Sequence, residues 1–384
     1  MANQVNTIVF SAGESSGDQH AANMFMELQK QHSALRGIGM GSHKMRQAGI
    51  DIRFDSAGIG VIGLVEVLKH YGQIRSALKL MKNLIVSEKP DLLVCVDYKE
   101  FNLKLAQFAK RRGVKVLFYV SPQVWAWRQG RVETYGKAID MMAVIFPFET
   151  AYYQAKNVPV RYVGHPSVDK VYPQRSRAED LQCFGLDAER PVVGILPGSR
   201  SNEIKRMLPL MLQAAAQLAQ RHQGLQFLLP QADTISDAQL HAYLQNSPLT
   251  IKVIKQQPYD VIQCCDAVMT TSGTATLEIA LLNVPMVITY RLSALTYWLG
   301  KQLVKIPFIG LPNIIAGKLI VKELIQDALT VENLVAEIER LLFDKPYRQR
   351  CQANLKQVKT QLGDGGGSKN MADLALEMLE LNLA

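Results

Sequence analysis

Long apolar runs are missing from this 384-residue sequence. Its longest apolar stretches are interrupted, as Glu278 and Asn283 interrupt residues 277–290, so none reaches the roughly 18–20 residues of a membrane-spanning helix. No basic segment followed by an apolar one opens the chain, and the expectation is therefore no secretory signal. Cysteine is scarce: five residues, at 95, 183, 264, 265 and 351, with no CxxC spacing. Their odd number and apolar neighbours exclude a disulfide framework and give the expectation of reduced thiols in a cytoplasmic protein. There is no GxxxxGK[ST], which excludes a P-loop NTPase, and no HxH, HExxH or paired-carboxylate spacing, so no metal is expected. Dense basic runs interleaved with aromatics are also lacking, which excludes nucleic acid as the partner.

What is present describes a folded chain. Hydrophobic residues make up 48% and charged residues 20%, too apolar a balance for disorder. The length exceeds what one core usually supports, so two domains are expected. The net charge of +9 is uneven. Residues 1–173 carry 22 Lys and Arg against 14 Asp and Glu, while residues 174–384 carry 21 against 20. A basic first half points to an anionic partner such as a phosphorylated ligand or an acidic lipid surface.

Short β-rich runs alternate with amphipathic stretches. Strands are expected at 7–12, 91–96, 115–120, 141–145 and 160–163, and helices between them at 19–31 and 101–112. After a polar, turn-rich stretch at 171–190, taken as a linker, the pattern restarts with strands at 192–196, 225–229, 251–254, 267–270 and 286–289. A helix is expected at 205–221, and a last one at 371–381 after a glycine run. The fold class is α/β: two Rossmann-like domains, residues 1–170 and 188–350, each a parallel sheet between helices. Helix 368–384 is expected to complete the first.

In such sheets ligands sit beyond the C-terminal strand ends. The first strand leads into Gly13, Glu14, Ser15, Ser16, Gly17 and Asp18. This is not GxGxxG, and its acids suit sugar hydroxyls better than a pyrophosphate. Asp97 follows the strand ending at Val96, where a general base would sit. In the second half, Pro197-Gly198-Ser199-Arg200 combines a glycine, a hydroxyl and a guanidinium at a helix start, a pattern suited to an anion. Ser272-Gly273-Thr274-Ala275 offers backbone amides to phosphate oxygens, and Glu278 lies one turn inside the following helix, where it would meet ribose hydroxyls. Residues 58–74 hold many apolar side chains for one buried face: Val61, Leu64, Val65, Val67, Leu68, Tyr71 and Ile74 among them, beside Lys69, Arg75, Lys79 and Lys82. They fit either a core helix with a basic outer face or an apolar patch for an anionic membrane or acyl chains.

Taken together, these loops resemble the lipid-A-disaccharide synthase family, bacterial inverting glycosyltransferases of GT-B architecture. The resemblance runs nearly the full length. It rests on residues 12–18 and 60–68, on Tyr119-Val120-Ser121-Pro122-Gln123-Val124-Trp125-Ala126-Trp127-Arg128, on Phe146-Pro147-Phe148-Glu149 and Val163-Gly164-His165-Pro166. It continues through residues 196–200, 272–278, Tyr290-Arg291, 303–305, 311–317 and 321–326. The resemblance implies two sheets facing across a cleft, a UDP-2,3-diacylglucosamine donor and a 2,3-diacylglucosamine 1-phosphate acceptor (lipid X). It implies Asp97 as base, with Gly198, Ser199, Arg200, Ser272, Gly273, Thr274, Ala275 and Glu278 on the donor. Glu14, Ser16, Asp18, Asn102, Asn313 and Glu323 are its sugar- and acceptor-side candidates. No cofactor or metal is implied; a homodimer at the cytoplasmic face of the inner membrane is. One departure stands out: where the family reads Asp-x-Pro-Asp-Phe-Asn, this chain has Asp97-Tyr98-Lys99-Glu100-Phe101-Asn102, which puts in doubt any role needing a short carboxylate at 100. Another UDP-sugar enzyme of the same architecture, or a non-catalytic binding relative, are the alternatives.

Overall fold

The computed structural model describes residues 6–57, 71–125, 130–245, 247–292 and 307–381. The chain divides into two compact units, Met1–Pro166 with Gly365–Ala384, and Ser167–Asp364.

The first unit is built on a seven-stranded parallel sheet: β1 (Thr7–Ala12), β2 (Arg36–Gly41), β3 (Asp51–Asp55), β4 (Leu92–Val96), β5 (Lys115–Tyr119), β6 (Met141–Val144) and β7 (Val160–Tyr162). Its order is β3-β2-β1-β4-β5-β6-β7, so the direction of winding reverses between β1 and β4. Strands β1 and β4 are buried along their whole length, as expected where helices cover both faces of a parallel sheet. One face carries a core including Val9, Leu93, Phe118 and Tyr135. The other gathers Phe10, Phe25, Leu28 and Tyr119.

Helix Gly367–Leu379 belongs to this second face. Met371, Leu374 and Leu376 are buried there, each contributing on the order of 1.5–3 kcal/mol. Polar contacts fix its register: Gln31 Nε2 donates to Asp373 at 2.7 Å, Asn370 Nδ2 to the Val163 carbonyl at 3.0 Å, and Arg161 pairs with Glu377 at 2.7 Å. The chain reaches it through Gly363, Gly365 and Gly366, all at positive φ, a backbone that side chains other than glycine resist.

The second unit holds a six-stranded parallel sheet of β8 (Val192–Leu196), β9 (Gln226–Gln231), β10 (Ile251–Lys255), β11 (Ala267–Thr271), β12 (Met286–Tyr290) and β13 (Glu323–Ile325), in the order β10-β9-β8-β11-β12-β13. Winding reverses between β8 and β11. Residues 171–190 differ from the linker expected of them. They contain helix Arg177–Cys183, capped by Ser176 and Glu179. Arg175 pairs with the buried Asp180, and Gln263 Nε2 donates to the Arg175 carbonyl at 2.8 Å, so the stretch is packed into the second unit.

Candidate active site

Both pairs of loops singled out in the sequence lie at the reversal points of their sheets, where adjacent connections leave to opposite faces and open a crevice. In the first unit these are the loops after β1 and β4. Asp97 and Tyr98 are consecutive residues at φ +48° and +44°, left-handed backbone that non-glycine residues hold only when surroundings impose it. Asn102 imposes it. Fully buried in helix Lys99–Lys110, its amide donates to the Ser11, Val96 and Asp97 carbonyls at 3.1, 3.2 and 2.8 Å, while its Oδ1 accepts from Ser11 Oγ at 2.6 Å. On the other side, Asp97 N donates to the Tyr119 carbonyl at 3.0 Å. The Tyr98 ring lies directly over Gly13, where a Cβ would come within 2.3 Å of it.

The charges beside it are tuned in one direction. Burial pushes the Asp97 carboxyl above the usual carboxylate range, opposed by Lys99 and the Tyr98 amide. Glu14 rises too, chiefly by burial and then by the negative charge of Asp97. Both are half-buried carboxylates beside one ammonium, and burial is the largest cause of each rise. Ser16 is exposed at the start of helix Ser15–Gln31. Asp18 and Asn102, expected to face a sugar, are instead buried and engaged. The Asp18 carboxylate accepts from the Ser42, Lys44 and Met45 amides at 2.6, 3.0 and 3.4 Å and so fixes the turn after β2.

In the second unit Gly198 sits at φ +110°, and a Cβ there would lie 2.4 Å from Glu203 Oε2. The amides of this loop, expected to grip an anion through its glycine, hydroxyl and guanidinium, are capped by this chain's own acid. Glu203 Oε2 accepts from Ser199 N at 3.0 Å and Arg200 N at 3.3 Å, and Oε1 meets the Arg200 guanidinium at 3.2 Å. Side chains surround the space beside it: Arg200, Arg206 and Arg291 line an open cavity of about 280 Å³ together with Tyr290. The second loop keeps more of its expected character. Ser272 N donates to the Thr289 carbonyl at 3.2 Å and Ser272 Oγ to that of Ile309 at 2.8 Å. Gly273, Thr274 and Ala275 open helix Thr274–Leu281, whose first amides have no carbonyl partner within the helix. A Cβ on Gly273 would meet nothing within 4 Å. Glu278 is largely buried, which raises its carboxyl, and it accepts from Tyr259 OH at 3.4 Å.

Asn313 and Glu323, expected on the acceptor side, belong to the second unit and stand behind this loop. Glu323 accepts from the Ile309 and Gly310 amides at 3.0 and 2.9 Å and from Asn313 Nδ2 at 2.7 Å. The buried Asn313 also accepts from the Ile320 and Val321 amides. They hold the segment that receives Ser272 Oγ. Of the apolar patch, 61, 64, 65, 67 and 68 lie outside the described residues. Tyr71 is exposed, whereas Ile74 is partly buried against the core.

The family profile described as lipid-A-disaccharide synthetase matches residues 8–378. The chain is 48% identical over 377 residues to lipid-A-disaccharide synthase of Geobacter sulfurreducens, with 98% of each chain covered. The chain belongs to the lipid-A-disaccharide synthase family. It is 44% identical over 380 residues to the enzyme of that name from Nitrosococcus oceani, covering 99% of this chain and 98% of that one. Membership makes it a disaccharide-forming glycosyltransferase. Solved structures share the two-unit α/β architecture at low identity. UDP-GlcNAc 2-epimerase from Neisseria meningitidis bound to UDP-GlcNAc has a TM-score of 0.63 at 14% identity, covering 97% of this chain and 99% of that one. The calicheamicin glycosyltransferase CalG4 has 0.62 at 15%, covering 98% and 99%.

Lys99 and Glu100 are tied to a neighbouring helix. Glu100 Oε1 pairs with Arg131 Nη1 at 2.5 Å, and Tyr135 OH donates to the Lys99 carbonyl at 3.2 Å. Glu100 thus ties the Asp97 loop to helix Arg131–Gly136. The sequence did not reveal this pair, the cap by Glu203, or a place at the site for Arg206; Arg291 stood in a quoted motif without an assigned role. Only Glu203 had a local signal, an acid at the third position of a helix that follows a glycine turn.

Proposed function

We propose that the chain transfers the sugar of UDP-2,3-diacylglucosamine to the 6-hydroxyl of 2,3-diacylglucosamine 1-phosphate, giving the β-1′,6-linked disaccharide 1-phosphate and UDP. The acceptor oxygen bonds to the anomeric carbon from the face opposite the diphosphate. The bond to UDP breaks, its electron pair leaves with UDP, and Asp97 takes the hydroxyl proton. The configuration inverts. The observation that carries this reading is Asp97 itself, a half-buried carboxylate of raised pKa held at the sheet's reversal point. A base poised closer to neutrality shares the proton more effectively in the transition state.

Charge on the leaving UDP is met by Arg200, Arg206 and Arg291 and by the amides opening helix Thr274–Leu281, whose dipole favours an anion. Glu278 holds the ribose. Incubation with both acylated substrates tests the reading: UDP appears only when both are present, and release from the donor alone would count against it.

The same reading puts the acyl chains and an anionic inner-membrane surface at the stretch 58–74. Support comes from the exposed Tyr71 within it, from the exposed Arg75 and Lys79 that follow it and from the basic first half. Among the described residues no helix is long and apolar enough to cross a membrane. Co-sedimentation with vesicles is expected to rise with anionic lipid and fall with salt; indifference to both would sink this part.

A further inference from the structure

The loop after β5 lies one strand from Asp97, since Val96 and Tyr119 are paired across β4 and β5. It leaves the strand under tension: Val120, a β-branched residue, sits at φ +66°, a conformation such residues rarely hold unless packing imposes it. The five residues that follow are anchored from beneath. Ser121 Oγ shares a hydrogen bond with Tyr153 OH at 2.8 Å. Trp125 is buried, with its ring edge-on to Phe148 at 5.3 Å, and its Nε1 donates to Glu149 Oε1 at 3.2 Å. The other Glu149 oxygen accepts from the Phe146 amide at 3.1 Å.

Glu149 is almost wholly buried, and burial pushes its carboxyl up to about 7. A buried acid is costly unless its hydrogen bonds are met, and what meets them here are two loops of the strand-end rim. Nothing in the proton transfer or in UDP binding uses this acid.

We propose that Glu149 is a positioning residue for the acceptor: from between the loops after β5 and β6 it fixes Trp125, and with it residues 121–125, at the rim beside Asp97. This rests on the reading that the first unit holds the acceptor. Breaking the Trp125–Glu149 bond frees the loop without touching the base or the donor loops, which are carried on other segments.

Glu149→Leu, which leaves no acceptor, Trp125→Phe and the double variant test it, with acceptor and donor varied separately and UDP binding measured by calorimetry. Trp125→Phe keeps an aromatic ring but removes the donor, so it decides the matter even if Glu149→Leu folds poorly. Each single change is expected to raise the acceptor KM roughly fivefold to thirtyfold, the range for one lost buried hydrogen bond. The donor KM and UDP affinity should stay within about twofold. The double variant should be no worse than the worse single one, because both remove the same contact. An unchanged acceptor KM, an equal rise in donor KM, or additive losses would each overturn the proposal. Should the acceptor reading itself be wrong, Asp97→Asn would also leave acceptor turnover intact; a slow Asp97→Asn enzyme beside unaffected Glu149 and Trp125 variants would condemn the positioning role alone.

Discussion

At the scale of single residues, the site depends on side chains that hold others in costly places. Asp97 combines a left-handed backbone with a carboxyl raised by burial, and Asn102 supplies the hydrogen bonds that hold the conformation. A base acts only when deprotonated, so a raised pKa moves the acid limb of activity above the ordinary carboxylate range. Turnover is therefore expected to rise with pH through that limb. Asp97→Asn should lower kcat by about two to four powers of ten and leave UDP affinity unchanged, with steady-state kinetics and calorimetry as the checks. Near-normal turnover would remove Asp97 from the mechanism. The position of Asp97 at a strand end was legible in the sequence. The partners of Asn102 were not, because they join Ser11 to a residue 91 positions away, and no local pattern encodes such a contact.

At the scale of elements, sequence patterns located the strands that are apolar and missed those that are not. Strand β2 reads Arg-Gly-Ile-Gly-Met-Gly, and glycine is depleted from strands. Here the glycines answer to packing: a Cβ on Gly39 would come within 2.0 Å of the Phe10 carbonyl oxygen, and one on Gly37 within 2.8 Å of the Phe25 ring. Strand β3, Asp-Ile-Arg-Phe-Asp, is a charged edge strand with its alternate residues exposed. Both fell below the apolar signal for physical reasons. The loop after β8 gives the opposite lesson. Its glycine, hydroxyl and guanidinium were legible, yet the amides they frame are taken by Glu203. Gly198→Ala tests the geometry of that cap. The substitution meets both a positive φ and Glu203 Oε2 at 2.4 Å. It is expected to displace Glu203 and Arg200 and weaken UDP binding about tenfold, while activity at saturating donor falls less. Unaltered UDP affinity by calorimetry would show that the cap does not shape the donor site.

At the scale of the whole molecule, each unit carries its own parallel sheet with one reversal point, and the proposed reaction assigns one half of its chemistry to each. The first offers a base and the basic half of the chain; the second offers guanidiniums and helix amides. The alternation of strands and helices made two such units legible. Helix 368–384 was expected to complete the first unit, and the core that helix Gly367–Leu379 shares with Phe10 and Phe25 emerges only in three dimensions. Family membership and this division of labour converge on one claim, that the chain joins a UDP-activated acylated sugar to an acylated sugar phosphate. The most direct test is to incubate the purified protein with UDP-2,3-diacylglucosamine and 2,3-diacylglucosamine 1-phosphate, follow UDP release, and determine the linkage of the product by NMR. The account predicts one UDP per disaccharide formed and a β-1′,6 bond; UDP release without disaccharide, or an α linkage, would contradict it.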